Sequence, residues 1–117
     1  MTAAELSALS DQELSEKVAI EVAGMECMPA GPWVRAMGQD VSWYDRTKGP
    51  FCVSPPTYAT SASRVLTLIG MNYFSANRNP FNGVWTATVG AAPVFEAQDK
   101  SFARAVCVSL LLAKGAA

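Results

Sequence analysis

The stretch from Ser54 to Arg64, SPPTYATSASR, concentrates side chains that can hold an anion. Hydroxyl groups such as those of Tyr58, Thr60 and Ser61 donate hydrogen bonds, and an arginine fork pairs with phosphate or carboxylate oxygens. Serine and threonine also cap helices, so the stretch is equally typical of a helix start. Arg64 is the residue that capping does not explain, because a positive charge in the first turn opposes the helix dipole.

Aromatic and basic residues are interleaved elsewhere in the chain in a pattern that suits binding. Aromatic faces stack on bases or on partner side chains, and arginine forks hold acidic groups. An alternative interpretation places the tryptophans in the core and leaves the charges in a solvated rim. On the binding interpretation, the candidate residues for a ligand or partner are Arg35, Trp43, Arg46, Tyr58, Thr60, Ser61 and Arg64.

The residues that most catalytic sites need are missing from the sequence. The chain has no histidine, which removes the most frequent general base, nucleophile partner and metal ligand. It contains no phosphate-binding loop, dinucleotide fingerprint or zinc-ligand spacing. Asp40 and Asp45 flank predicted turns, where acids are usually solvated. The sequence therefore predicts a protein that is not an enzyme and that uses no cofactor or metal.

Composition narrows the partners and the location. The 117 residues carry a net charge of −1, and only 16% of them are charged. Nucleic-acid binders normally cluster Lys and Arg, so nucleic acid is not an expected partner. The N-terminus lacks a basic region followed by an apolar stretch, and the longest apolar run, Ala105–Ala113, is too short for a bilayer. We expect an intracellular protein outside the membrane, with its three cysteines reduced.

Three helices are predicted from caps and periodicity. A capping box at Ser10 starts the first, which ends near Gly24. The second follows a proline pair, is capped by Thr57 or Thr60, and ends near Gly70. The third follows a cap at Asp99 or Ser101. Its apolar circumference, which includes Cys107, predicts a buried helix.

Two strand hairpins are predicted between the helices. Alternating residues over Trp33–Asp45 indicate the first, and the turn Asn79–Gly83 before the strand Val84–Val89 indicates the second. Val94–Ala97 adds a short strand, whereas Met25–Met28 is interpreted as a loop. The sequence thus predicts one α+β domain over all 117 residues, with helices on a mainly antiparallel sheet as an α-β-α sandwich. The predicted order is helix, hairpin, helix, hairpin, helix.

The order of these segments resembles the phage ABA-sandwich domain proteins, small products of bacteriophages and prophages. The matching features are Gly24 after the first helix, the run Pro55–Ser61, Trp85 in its strand, and the run Ala105–Leu111. Ala59-Thr60-Ser61 stands where the family pattern has Ser-Thr-Asp, so a carboxylate is missing there. The resemblance implies an α/β sandwich and a phage origin, and it implies no catalytic residues.

The resemblance and the missing catalytic groups favour a phage accessory protein that acts by binding. It would counter a host defence in the host cytoplasm by sequestering a host protein or a nucleotide signal. The expected partner is a host or phage protein or an anionic small ligand. Two alternatives are a structural or assembly protein of the phage particle and, less favoured, a nucleic-acid-binding domain. Self-association is a further expectation, because an apolar last helix in a small domain gains from a second copy.

Overall fold

The computed structural model describes residues 2–49, 52–70, 73–90 and 94–115, which form short helices and strands. The helices are α1 (Ala3–Ser7), α2 (Asp11–Glu21), α3 (Pro32–Ala36), α4 (Ala62–Leu66) and α5 (Phe102–Ala113). The strands are β1 (Glu26–Pro29), β2 (Val41–Tyr44), β3 (Cys52–Val53), β4 (Tyr73–Arg78), β5 (Trp85–Gly90) and β6 (Val94–Asp99). Sheet A has the order β1-β2-β3 and sheet B the order β4-β5-β6, both antiparallel. The α+β class is as predicted, but the described residues form two sheets where one was predicted.

The predicted capping box starts α2. The Ser10 hydroxyl accepts the Glu13 N–H at 3.1 Å, and the Glu13 carboxylate accepts the Ser10 N–H at 3.2 Å. Leu14 and Val18 are fully buried on the inner face of the helix. Gly24 follows with a φ of 71°, a conformation that glycine adopts without strain. The first predicted helix is therefore confirmed.

The predicted hairpin over Trp33–Asp45 is wrong. Its second half is β2, but its first half lies in α3. The strands that pair with β2 are β1, from the segment interpreted as a loop, and β3. Pro32 takes the first helical position, where its fixed φ and missing N–H suit a helix start. The alternation in WVRAM is too short to distinguish a strand from one turn of helix.

The helix α4 is shorter than predicted at both ends. It begins behind a Ser61 cap rather than one at Thr57 or Thr60, and it ends at Leu66 rather than near Gly70. Before the helix, the Ala59 N–H donates to the buried hydroxyl of Ser15 on α2, at 2.8 Å. That bond joins positions far apart in the sequence, so local capping rules do not reveal it.

The second predicted hairpin is confirmed as β4 and β5. Its turn is held by two carboxamides: that of Asn79 accepts the Phe81 N–H at 2.8 Å, and that of Asn82 accepts the Val84 N–H at 2.9 Å. Gly83 completes the turn with a φ of 72°. β6 then pairs with the other side of β5.

The main core forms where α5 packs on sheet B. As predicted, α5 is heavily buried, with Cys107 and Leu111 fully inaccessible. The Phe102 ring meets the Trp85 ring edge-on, with centroids 5.0 Å apart. On the opposite face of sheet B, Thr86 and its neighbours are at least partly exposed. In the described part of the chain, no second helical layer of the predicted α-β-α sandwich covers that face.

Candidate functional site

A surface cleft of about 700 Å³ lies between sheet A and α4, and we call it the α4 cleft. Its walls come from the turn after β2, the segment after β3, and one side of α4. Met25 also lines it. The polar residues used below are Asp45, Lys48, Tyr58, Ser63, Arg64 and Thr67. A concave site of this volume is large enough to hold a small organic ligand.

Two cations and one acid give the α4 cleft a net positive charge. The Lys48 N–H donates to the Asp45 carbonyl at 3.0 Å, and this turn brings both side chains to the cleft. Neither Lys48 nor Arg64 forms an ion pair with any described residue. The Asp45 carboxylate accepts the Thr47 hydroxyl at 2.6 Å and the Thr47 N–H at 3.0 Å, which lowers the pKa of Asp45. The Lys48 charge also contributes to the lowered pKa of Asp45, so this acid partly offsets Lys48. An anion that binds in the cleft still has no ion pair to break between either cation and a described residue.

Tyr58 gives the cleft an aromatic wall with a donor at its tip. The side chain is half-buried, and its hydroxyl meets only the Met25 sulfur, at 3.7 Å, among the described residues. Burial raises the pKa of Tyr58, the Asp45 charge raises it further, and the Arg64 charge opposes the rise. Since a thioether is a weak acceptor, the phenol can donate a stronger hydrogen bond to a ligand oxygen.

Arg64 is the middle residue of α4, which begins at Ala62 and ends at Leu66. Its N–H donates to the hydroxyl of the Ser61 cap at 3.4 Å, so it lies in the first turn as predicted. Because a helix of five residues places Arg64 in its last turn as well, the helix dipole gives its charge no distinct role. What distinguishes Arg64 instead is its place in the wall of the α4 cleft, one helical turn from the Thr67 hydroxyl on the same wall.

The structure brings two of the seven predicted binding residues into this cleft, Tyr58 and Arg64. Thr60 and Ser61 lie beside it, with the Thr60 hydroxyl donating to the Thr57 carbonyl at 3.2 Å and Ser61 capping α4. Sequence reasoning did not select Lys48, because only the fold of the turn after β2 places it near α4.

The other three predicted residues lie elsewhere. Trp43 is only 3% exposed and packs in a small core, so the core interpretation holds for this residue. Arg46 pairs with Glu26 at 2.7 Å and lies over the Tyr44 ring. Arg35 is exposed on α3. Thus the predicted residues do not form one surface.

A smaller cleft of about 340 Å³ shares Pro56 with the α4 cleft. Its charged residues are Glu16 and Asp40, and one side of Trp43 contributes to its wall. Two acids without a cation repel an anion. The positive α4 cleft is therefore the better candidate for an anionic ligand.

Ser15 positions the wall of the α4 cleft that contains Tyr58. Ser15 is only 2% exposed, and its hydroxyl accepts a hydrogen bond from the Ala59 N–H. We expect Ser15→Ala to lower the free energy of unfolding by about 1–3 kcal/mol, because it leaves a buried donor unpaired. The measurement is urea unfolding followed by circular dichroism.

Ser42→Ala is the matched control for this prediction. Ser42 is also buried, at 3% exposure, but its hydroxyl has no hydrogen-bond partner among the described residues. Removing it should cost little or nothing. Equal losses for Ser15→Ala and Ser42→Ala would show that the Ala59 bond does not hold the wall.

Comparisons with known proteins give no indication of the function. No family model, curated protein or solved structure matches the chain. Within the described ranges, no three acidic, cysteine or histidine side chains gather as metal ligands would. Over the same residues, no helix has the length and apolar character of a membrane span.

Proposed function

We propose that this protein acts by binding, without catalysis, and that the α4 cleft takes a small anionic ligand. The observation that carries the proposal is the pair Lys48 and Arg64, two cations without an ion-pair partner among the described residues, in the wall of one cleft. Arginine contributes a planar fork for phosphate or carboxylate, and lysine contributes a mobile point charge. Together they suit a ligand that carries more than one negative oxygen.

The rest of the cleft favours a phosphate ester with an organic part. Ser63 adds a hydroxyl group beside Arg64, and the half-buried Tyr58 ring offers a face for a flat group. The Thr67 hydroxyl donates to the Arg64 carbonyl at 2.6 Å, so it contributes only an acceptor to the cleft. A nucleotide combines these features. A phage accessory protein that sequesters a host nucleotide signal is the biological role that agrees with this ligand class and with the family resemblance.

Replacing either cation should weaken binding of a phosphate-bearing ligand. We expect Arg64→Gln to weaken binding of a cyclic dinucleotide about 10- to 100-fold, because a charge-assisted hydrogen bond is lost while a polar side chain remains. Lys48→Gln should act in the same direction, with a smaller effect. Isothermal titration calorimetry with inorganic pyrophosphate and a cyclic dinucleotide measures both.

Arg35→Gln is the matched control, since Arg35 is an exposed arginine on α3 outside the cleft. It should bind like the unchanged protein. Raising the salt concentration should weaken binding, because the attraction is between charges. Equal affinity for Arg64→Gln and Arg35→Gln would contradict the proposal, as would failure of every anion to bind.

A protein partner is the second candidate, and one observation favours it. Trp33 and Met37 lie one helical turn apart at α3 and are 86% and 79% exposed. Exposed tryptophan and methionine are typical of protein interfaces, whether with a host protein or within a phage particle. This surface needs no small ligand, so the titration above separates the two candidates.

A further inference from the structure

One edge of sheet B lacks the features that keep sheet edges apart. Among the described strands, β1, β3, β4 and β6 are edges. β1 ends in a proline, β3 has two residues, and β6 carries Glu96 and Asp99. Charges, prolines and short strands discourage pairing with another chain. β4 has six residues without a proline, and its first five positions, Tyr73–Asn77, are uncharged.

The only charge on β4, Arg78, is directed along the hairpin. Its Nη2 lies 3.4 Å from the position that a Cβ would take on Gly83, in the turn between β4 and β5. The guanidinium therefore lies at the end of the strand and leaves the middle of the edge uncovered.

The hydrogen-bond pattern identifies which backbone groups of β4 point outward. The Asn79 N–H donates to the Val84 carbonyl at 2.8 Å, directly after the β4–β5 pairs. Backbone groups alternate along an antiparallel pair, so residues 73, 75 and 77 bond to β5. The N–H and C=O groups of Phe74, Ala76 and Arg78 then face away from the sheet.

We infer that β4 pairs antiparallel with β4 of a second copy of this chain, about a twofold axis at Ala76. In this register Ala76 of one copy lies opposite Ala76 of the other. Phe74 of each copy lies opposite Arg78 of the other, so this pair occurs twice. The three outward-facing residues of each copy then each donate one backbone hydrogen bond to the other copy and accept one from it, which gives six bonds in all. The interface is isologous and closes as a dimer, and it joins two copies of sheet B into one six-stranded sheet.

Two exposed aromatic side chains indicate that the strand that pairs with β4 comes from a second copy of this chain. Tyr73 at the start of β4 is 57% exposed, and Phe81 in the turn beyond its end is 96% exposed. The register about Ala76 places Tyr73 of one copy opposite Asn79 of the other, close to Phe81. Both ends of the interface therefore bring an exposed tyrosine to an exposed phenylalanine, and only a second copy repeats this match at both ends.

Ala76→Pro tests the pairing directly. The proline removes an outward N–H that the β4–β5 ladder does not use, so the monomer should keep its fold. Glu96→Pro is the matched control. Its position in the ladder makes the N–H of Glu96 also point outward, but on the opposite edge of sheet B.

Sedimentation equilibrium should give the unchanged protein and Glu96→Pro twice the chain mass of 12.4 kDa. Ala76→Pro should dimerise about thirtyfold more weakly, since two hydrogen bonds are lost. Should Ala76→Pro also unfold, the pair Ser75→Lys and Asn77→Lys replaces it, because these positions face each other across the axis on the exposed side of the sheet. If the unchanged protein is a monomer, the inference is overturned. It is also overturned if Ala76→Pro and the double lysine variant dimerise as strongly as the unchanged protein.

Hydrogen exchange gives a second readout that does not depend on mass. In the dimer, the amide protons of Phe74, Ala76 and Arg78 should exchange as slowly as those that bond to β5. Fast exchange at these three positions in a dimeric sample would place the interface elsewhere and overturn the inference. Binding in the α4 cleft uses none of these residues, so the two proposals fail independently.

Discussion

Arg104→Leu is expected to lower the free energy of unfolding by about 1.5–3 kcal/mol, the range for losing hydrogen bonds from a charged group, because its ion pairs are only partly buried. The Arg104 side chain is only 14% exposed. Its guanidinium donates to Asp99 at 3.2 Å, to Asp11 at 2.7 Å, and to the carbonyls of Ser7 and Leu9 at 2.9 and 2.7 Å. These bonds attach the α1–α2 connection to the start of α5. Leucine fills similar space but leaves all four acceptors without this donor.

The electrostatics of Arg104 support a large effect. Burial alone would lower the pKa of Arg104, but its bonds to Asp11 and Asp99 outweigh burial and raise it. The bond to Asp11, whose side chain is 57% exposed, contributes least because water screens it. The bond to Asp99, which is 16% exposed, and the two carbonyl bonds contribute most.

Two variants keep this prediction specific. Arg104→Lys retains the charge but not the fork, so its stability should lie between those of the unchanged protein and Arg104→Leu. Arg46→Gln removes an ion pair of the same length, 2.7 Å, that is exposed on both sides, and its effect should be too small to resolve. Denaturant unfolding measures all three. Indistinguishable midpoints for Arg104→Leu and Arg46→Gln would contradict the role given to Arg104.

Alkaline pH is expected to remove about 4 kcal/mol of stability through Cys107 alone. Burial raises the pKa of this thiol from 9.0 to about 12. Because the folded pKa lies above the unfolded one, this stability is fully present below pH 9 and is lost as the pH rises towards 12. The slope is about 1.4 kcal/mol per pH unit, since the folded state holds one proton more than the unfolded state.

The test compares slopes rather than absolute stabilities. Cys107→Ala should flatten the fall of unfolding free energy between pH 9 and 11, although the smaller side chain lowers stability at every pH. Cys27→Ala and Cys52→Ala are matched controls, since both of these thiols are exposed, and they should leave the slope unchanged. The same slope in Cys107→Ala would show that another group controls the alkaline loss.

Elements with strong local signals were predictable from sequence. The capping box of α2, the apolar run of α5 and the turn between β4 and β5 each depend on neighbouring residues, and all three are confirmed. The α3 segment was wrongly predicted as a strand, because a few residues cannot distinguish the period of a helix from that of a strand. The Ser15–Ala59 bond was not predictable either, because it joins positions far apart in the sequence.

The sequence predicted the types of residue that line the candidate site, but not which particular residues line it. Tyr58 and Arg64 stand in a stretch rich in donors, and the fold does place them in one cleft. Lys48 joins them only through the turn after β2. Arg46 looks equivalent to Arg64 in sequence, but Glu26 neutralises it across sheet A. Which arginine keeps an available charge is therefore a property of the tertiary structure.

Native mass spectrometry tests whether Lys48 and Arg64 hold an anionic ligand in the α4 cleft. The protein is mixed in turn with a cyclic dinucleotide, with pyrophosphate and with an uncharged nucleoside. We expect adducts with the two anions only, their loss in the double variant Lys48→Gln and Arg64→Gln, and their retention in Arg35→Gln. Adducts of equal abundance in the double variant, or none with either anion, would contradict the proposal.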